Sequence, residues 1–173
     1  KVMEKALALA DWDGFPARRA EAKARGKCRG IGVANYVDTA SGVPRERAEL
    51  TVHGDGSVDV IIGTVSTGQG HETSFAQLVT EWLGVPFENI RFVQGDTDQV
   101  PFGRGTYASR SVMLGGNALK MAADAVIEKA RPMAAQLLEA AAGDLSFKDG
   151  RFQITGTDRS IALNRSRRQL VVT

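Results

Sequence analysis

The sequence predicts an α+β fold of the mixed α/β type, in which a sheet with hairpins is covered by two main helices. Residues 48–63 and 145–156 each place a turn rich in glycine and aspartate between two short runs typical of strands, which indicates two β-hairpins. Residues 71–83 carry apolar side chains at three- and four-residue spacing, and residues 112–142 form a second long helical stretch. The order of strand, hairpin, helix, strand, helix and hairpin follows from these patterns.

The chain begins with two short helical segments. Residues 1–10 are rich in strong helix formers, and residues 17–25 follow Pro16, a residue that suits the first turn of a helix. Gly26 ends this segment, and the glycine, β-branched and aromatic residues of 28–38 then predict a strand.

The second half of the chain adds one more strand and a long helix. Residues 90–94 (IRFVQ) contain the β-branched Ile90 and Val93 and the aromatic Phe92, which favours a strand. Pro132 lies inside the helical stretch 112–142 and is expected to kink or interrupt it, because proline lacks the N–H that a helix interior uses. We predict a helical linker over 1–27, a partial domain over 28–160 and a tail over 161–173.

Composition excludes several classes of protein. The 173 residues carry a net charge of only +2, from 22 basic and 20 acidic residues, which argues against nucleic-acid binding by bulk electrostatics. No apolar run reaches the length of about 18 residues that a membrane span needs. The single Cys28 cannot form an internal disulfide, so a reducing compartment, and hence the cytoplasm, is expected.

The first loop with chemical potential is GTVSTGQGHET, residues 63–73, which leads from a strand into a helix. Unpaired N–H groups and the positive dipole end make a helix start suitable for anions, and glycine lets the backbone approach a ligand closely. The alternative interpretation is a simple turn with a helix cap. The spacing fits neither the dinucleotide fingerprint nor a phosphate loop with Gly-Lys-Ser/Thr.

The second loop is GDTDQVPFGRGTYASRS, residues 95–111, which also precedes a helix. Loops of this length without secondary structure are usually functional. Arg110 lies at the helix start between two serines, and a guanidinium suits forked contacts with phosphate. The alternative is that Arg110 forms an ion pair with Asp96 or Asp98. Two anion-binding loops in one small domain fit a single ligand that contains a pyrophosphate.

These two loops resemble the molybdenum-binding large subunit of the molybdenum hydroxylases, the family of xanthine dehydrogenase, aldehyde oxidase and carbon monoxide dehydrogenase. The resemblance rests on an ordered set of motifs: Gly-Gln-Gly-His at 68–71, Gly-Asp-Thr-Asp at 95–98, and Gly-x-Gly-Thr followed by Ser-Arg-Ser over 103–111. It covers roughly residues 28–142, and it is greatest for carbon monoxide dehydrogenase-like large subunits of bacteria.

The resemblance implies that both loops hold the pterin, pyrophosphate and cytidine of molybdopterin cytosine dinucleotide. It predicts backbone and hydroxyl contacts, with Arg110 as the main charged contact, and it predicts neither a catalytic residue nor a metal ligand. The cofactor-binding residues that it implies are Gly68, Gln69, Gly70, His71, Thr106, Ala108, Ser109, Arg110 and Ser111.

The sequence departs from the family where catalysis is concerned. The family's glycine-rich Phe-Gly loop and its Gly-x-Gly-Glu segment, which supplies the base near molybdenum, have no match here. The chain is therefore expected to be part of a larger oxidoreductase that hydroxylates an aldehyde, an N-heterocycle or a CO-like substrate, and to be inactive and free of cofactor when isolated. The expected partners are the rest of the large subunit and the iron–sulfur and FAD subunits or domains, with self-association of the isolated chain also expected.

Two other functions remain open from the sequence. One is a stand-alone nucleotide- or phosphate-binding module without redox activity. The other is a structural domain with empty loops, in which Arg110 would be ion-paired inward.

Overall fold

The computed structural model describes residues 1–37, 42–165 and 170–172. The chain divides into two compact units, residues 1–38 and 39–173. The first unit contains α1 (Val2–Leu9) and α2 (Phe15–Ala24), with Pro16 in the first turn of α2 as the sequence predicts. Arg18 of α2 donates hydrogen bonds to the carbonyl oxygens of Ala10 and Asp11, at 2.9 and 2.8 Å, and so ties the two helices together.

The strand predicted over 28–38 is wrong for the residues that the structure describes. Residues 28–37 form no regular element, and Asp38 lies outside the described residues. The side chains of residues 28–37 are exposed, so this stretch buries nothing that would hold it in a sheet.

The second unit contains a four-stranded sheet with the order β3-β2-β1-β7. The strands are β1 (Ala48–Val52), β2 (Val58–Ile62), β3 (Ile90–Val93) and β7 (Leu170–Val172). The first predicted hairpin is confirmed, since β1 and β2 pair antiparallel with Leu50 opposite Val60. In contrast, β2 and β3 pair parallel, and the helix α3 (His71–Leu83) connects them.

Alternation along β1 and β2 produces the core face of this sheet. Ala48, Leu50 and Val52 are buried opposite Ile62, Val60 and Val58, all on one face because side chains alternate with a period of two. Phe75 and Val79 of α3 are fully buried in the same core.

The long helix α4 (Asn117–Leu138) is preceded by a π-helical segment, Ser111–Gly116. α4 continues through Pro132 without a break and ends at Leu138, four residues before the predicted end. Small residues such as Ala123 and Ala130 are buried along it, which lets the helix lie close to β1.

A second sheet has the order β4-β5-β6. It consists of β4 (Leu145–Lys148), β5 (Arg151–Ile154) and β6 (Ser160–Ala162), and its first two strands are the second predicted hairpin. The sequence patterns assigned no strand after residue 156, whereas β6 and β7 both form there. The predicted α+β architecture is confirmed, with two small sheets in place of one.

Candidate functional site

Both loops of interest leave the same edge of the four-stranded sheet. The first follows β2, which ends at Ile62, and the second follows β3, which ends at Val93. Because β2 and β3 are parallel, their carboxyl ends meet at one edge. Ligands of α/β folds commonly bind at the carboxyl ends of parallel strands.

Gly63 joins the two loops. Its carbonyl oxygen accepts a hydrogen bond from the backbone N–H of Gly105 at 3.2 Å, and a Cβ on Gly103 would lie 2.5 Å from the same oxygen. Thr64, the residue after Gly63, lies equally close to the π-helical segment, since a Cβ on Gly115 would lie 2.9 Å from the Thr64 methyl. Glycines at 63, 103 and 115 therefore permit backbone contacts that side chains would prevent.

In the first loop, Gly68 and Gly70 expose the backbone before α3. Their φ angles are 113° and 72°, which L side chains rarely adopt, and a Cβ on either would meet nothing within 4 Å. Gly70 caps α3 without a side-chain hydrogen bond. The Thr73 and Ser74 N–H groups donate to the Gly70 carbonyl oxygen, so the open backbone beside the positive dipole end of α3 is that of Gly68 and Gly70.

Gln69 is oriented by its own loop. Its Oε1 accepts hydrogen bonds from the Thr67 backbone N–H at 2.5 Å and from the Thr67 hydroxyl at 3.0 Å. With the amide oxygen occupied, the exposed amide NH₂ is the group that Gln69 can offer to a ligand as a donor.

His71 faces the protein interior. Its side chain is 3% exposed, its ring centroid lies 5.1 Å from that of Phe75, and its Nδ1 lies 3.3 Å from Gln94 Oε1. The contact links the first residue of α3 to the residue after β3. His71 therefore fixes the first loop against the start of the second, and any ligand contact falls to its backbone.

The second loop turns sharply before the π-helical segment. Ala108 and Ser109 have φ angles of 48° and 59°, a region that costs non-glycine residues roughly 1–2 kcal/mol each. The Thr106 and Ser111 hydroxyls lie 2.8 Å apart and bridge the turn. Both π-helical segments and backbone strain are frequent at functional sites.

Arg110 is buried, with no exposed surface, so its side chain does not lie where a ligand of the open loop could meet it. The ion pair considered with Asp96 or Asp98 is wrong. The Arg110 guanidinium instead pairs with Glu46 at 2.5 Å, and the Glu46 side chain is 1% exposed. Glu46 was not singled out from the sequence, because it stands 64 positions away in an ordinary polar stretch.

The exposed guanidinium of the second loop belongs to Arg104. Its Cζ lies 5.8 Å from the Phe102 ring centroid, and the Arg45 Cζ lies 4.9 Å from the same centroid. A cation close to an aromatic face is a modest stabilising contact. It leaves the edge of the guanidinium able to donate to an anion.

Asp96 stabilises the start of the second loop. The Gln99 amide donates to one carboxylate oxygen at 2.5 Å and the Asp98 backbone N–H donates to the other at 2.9 Å. These two hydrogen bonds hold the pKa of Asp96 below its ordinary value. Asp96 is therefore a turn-forming carboxylate.

The described residues hold neither a metal cluster nor a membrane-spanning helix. Among residues 1–37, 42–165 and 170–172, no three His, Cys, Asp or Glu side chains cluster as metal ligands would. In the same part of the chain, no helix has the length and apolar character required to cross a bilayer.

Comparison with known proteins gives consistent matches. A family model described as a molybdopterin cofactor-binding domain matches residues 5–171. The carbon monoxide dehydrogenase large chain of Afipia carboxidovorans is 37% identical, over 89% of this chain and 21% of that protein. Subunit gamma of the 6-hydroxypseudooxynicotine dehydrogenase complex of Paenarthrobacter nicotinovorans is 39% identical, over 94% of this chain and 20% of that protein. The xanthine dehydrogenase molybdenum-binding subunit of Escherichia coli O157:H7 is 36% identical, over 86% and 20%.

Solved structures agree with these relatives. A Cu,Mo-CO dehydrogenase in its carbon monoxide reduced state matches with a TM-score of 0.70 and 35% identity, over 95% of this chain and 23% of that chain. Quinoline 2-oxidoreductase from Pseudomonas putida 86 matches with a TM-score of 0.63 and 31% identity, over 93% and 22%. The chain spans about a fifth of the length of the curated relatives it matches.

Proposed function

This chain belongs to the molybdopterin cofactor-binding domain family, and from that premise we propose that its two loops hold the phosphate-bearing part of a molybdopterin cofactor in its cytosine dinucleotide form. The observation that carries the proposal is the joining of two glycine-containing loops at one edge of the β2–β3 pair. An extended anionic ligand can contact both helix starts there.

The residues present fit such a group. The Gly105 N–H and carbonyl already bond Gly63 and Arg110, but the backbone at Gly68 and Gly70 faces open space, since a Cβ at either would meet nothing within 4 Å. In the proposal, these backbone segments and the Gln69 amide bind the ligand, together with the Thr106 and Ser109 hydroxyls. His71, Ala108 and Ser111 contribute through the backbone, and Arg110 acts by holding the second loop. When bound, the molybdenum of this cofactor supplies the redox chemistry.

The parent activity is proposed to be molybdenum-dependent hydroxylation of an aldehyde, an N-heterocycle or a CO-like substrate. The large-subunit character of the relatives and their names support an oxidoreductase with several subunits. The proposed partners are the remainder of the large subunit and the iron–sulfur and FAD components. The isolated chain is proposed to be inactive, and measurable hydroxylase turnover by this chain alone would refute that part. A cytoplasmic location stays a prediction.

The test is calorimetric titration of the purified chain with cytidine diphosphate, adenosine diphosphate, guanosine diphosphate and inorganic pyrophosphate. We expect cytidine diphosphate to bind most tightly, because the other nucleotides offer the same phosphates with a different base. Equal affinity for the three nucleotides would contradict the cytosine form and leave a general phosphate site. Absence of binding by every probe would contradict an anion site formed by this chain itself.

Gln69→Glu is the matched test of the first loop. Its carboxylate can still accept the hydrogen bonds from Thr67, but the donor amide becomes a negative charge. One added charge at about 4 Å from a phosphate costs about 1 kcal/mol in water, so we expect about fivefold weaker binding. Gln77→Glu makes the same change at an exposed position of α3 and should leave the affinity unchanged.

Arg104→Gln tests the exposed cation of the second loop. Its removal should weaken pyrophosphate and cytidine diphosphate alike, since a guanidinium recognises phosphate and not the base. Unchanged affinity for both probes would remove Arg104 from the proposed site.

Self-association of the isolated chain is part of the same proposal. Val112 and Met121 are 63% and 72% exposed, which is typical of apolar surface that another protein segment covers. Analytical ultracentrifugation that finds a single monomeric species would count against it.

A further inference from the structure

Arg110 makes three directed contacts with two different parts of the chain. Nη1 donates to Glu46 Oε2 at 2.5 Å and to the Gly105 carbonyl oxygen at 2.9 Å, and Nη2 donates to the Arg45 carbonyl oxygen at 2.7 Å. Arg45 and Glu46 precede β1, whereas Gly105 lies in the second loop. The planar guanidinium therefore connects the loop to the segment that leads into the sheet.

The Glu46 carboxylate contacts both Arg110 and the segment that leads into β1. Its Oε2 accepts from Arg110, and its Oε1 accepts from the Arg47 backbone N–H at 3.0 Å. A Cβ on Gly63 would lie 2.3 Å from Glu46 Oε1 and 2.6 Å from the Phe102 carbonyl oxygen. The carboxylate thus packs directly against the residue that begins the first loop and touches the second.

The turn that this pair holds is strained. Ala108 and Ser109 both have positive φ angles, and Arg110 follows them directly. The Arg110 backbone N–H donates to the Tyr107 carbonyl oxygen at 3.1 Å, and the Arg110 Cζ lies 5.5 Å from the Tyr107 ring centroid. A strained turn persists only where the surrounding structure holds it, and the Arg110 side chain supplies the strongest such contacts here.

We propose that the buried Glu46–Arg110 ion pair is a positioning device, which fixes the second loop over Gly63 so that the backbone and hydroxyls of 106–111 face the ligand. The identity of that ligand rests on the proposed function, whereas the role of the ion pair in holding the loop is independent of it. Arg110 and Glu46 are positioning residues and do not contact the cofactor themselves.

The cost of burying charge indicates that this ion pair fixes the position of the loop more than it stabilises the fold. Burying two charges costs desolvation that their attraction offsets only when geometry is good, so a buried ion pair is weak support for stability and better suited to fixing one arrangement. Because two of the three acceptors, Glu46 Oε2 and the Arg45 carbonyl oxygen, lie outside the loop at defined directions, a shift of the loop by one residue would break both of these contacts at once.

The decisive variant is Arg110→Lys, which keeps the buried positive charge beside Glu46 but replaces the planar fork with a single ammonium. Hydrogen exchange of the Gly105 and Arg110 amides by NMR reports on the loop, and the amide of Val60 in β2 reports on the sheet. We expect exchange at Gly105 and Arg110 to accelerate at least about tenfold, with Val60 unchanged, since only the loop contacts are lost. We also expect cytidine diphosphate affinity to fall by about tenfold or more.

A second variant separates positioning from folding. Glu46→Met/Arg110→Met replaces both charges with apolar side chains of similar length, a change that is often neutral for stability, whereas Glu46→Gln alone leaves an unpaired buried charge and should lower Tm by about 10 °C. We expect the double variant to recover Tm but neither the slow exchange at Gly105 nor the nucleotide affinity.

The outcomes are distinguishable. Wild-type exchange rates at Gly105 and Arg110 in the Arg110→Lys chain would overturn the proposal, as would recovery of both Tm and affinity in the double variant. If the wild-type chain binds no nucleotide, the proposed function fails. The exchange rates alone then decide whether the pair holds the loop.

Discussion

Gly63→Ala tests the junction between the two loops. A Cβ at this position would lie 2.3 Å from Glu46 Oε1, and 2.6 Å from both the Gly103 Cα and the Phe102 carbonyl oxygen. Nonbonded contacts of carbon are normally about 3.5–4.0 Å, so the loop would have to move away from the strand by about 1 Å. Two of the obstructing atoms are backbone, so a change of rotamer cannot relieve the contact.

The expected cost is that of inserting a methyl group into a packed site. Such overpacking typically destabilises by about 1–3 kcal/mol, and a cost of about 2 kcal/mol lowers Tm by about 4–8 °C for a domain of this size. The hydrogen bonds from Gly105 to Gly63 and from Gly63 to Arg47, each 3.2 Å, would lengthen as the loop retreats.

Urea unfolding followed by circular dichroism measures this cost, with Gly54→Ala as the matched control. Gly54 lies at the opposite end of the same hairpin, neither glycine has a positive φ, and a Cβ at Gly54 would meet nothing within 4 Å. We expect the control to change the free energy of unfolding by less than about 0.5 kcal/mol. A Gly63→Ala chain as stable as the control, with unchanged exchange at Gly105, would refute the close contact and the reasoning built on it.

Three further predictions concern the core, the strained turn and pH. Phe75→Ala should cost about 3–5 kcal/mol in urea unfolding, because the ring is fully buried between α3 and the sheet, and a loss below about 1 kcal/mol would contradict that packing. Ala108→Gly should stabilise the chain by up to about 1 kcal/mol, because glycine adopts a φ of 48° without strain. The control Ala125→Gly, on the exposed face of α4, should destabilise the chain by up to about 1 kcal/mol. Changes of the same sign in the free energy of unfolding of the two variants would contradict strain at Ala108. The hydrogen bond from Arg131 lowers the pKa of Glu128, so its contribution to stability is present above the ordinary carboxyl pKa and is lost as pH falls through the lowered value. A small stability difference between wild type and Glu128→Gln at pH 7 should therefore disappear in strong acid, and a difference independent of pH would contradict this assignment.

Local patterns were sufficient for most of the elements. Asp55 and Gly56 in a tight turn predicted the β1–β2 hairpin, and the spacing of Phe75, Val79 and Leu83 predicted α3 within its observed bounds. These features depend on residues close in sequence, whose turn conformation and amphipathic period are properties of the segment itself.

Errors arose where long-range contacts decide. The β-branched residues of 28–37 favour a strand, yet no strand forms there among the described residues. Conversely, β7 forms but was not predicted. It is a short strand that pairs with β1 over only three residues. A short edge strand depends on a neighbouring strand for its hydrogen bonds, and a propensity scale does not contain that neighbour.

The sequence by itself determined the α+β class, the two glycine-containing loops and the family to which they belong, because motif order and local periodicity carry that information. Only the tertiary structure decided that both loops meet at Gly63, that Arg110 faces inward to Glu46, and that Arg104 is the exposed cation of the second loop. The reason is that burial and ion pairing depend on residues 64 positions apart being brought together by the sheet. The sequence alone does not distinguish an arginine at a helix start that binds a ligand from one that holds the ligand-binding loop in place.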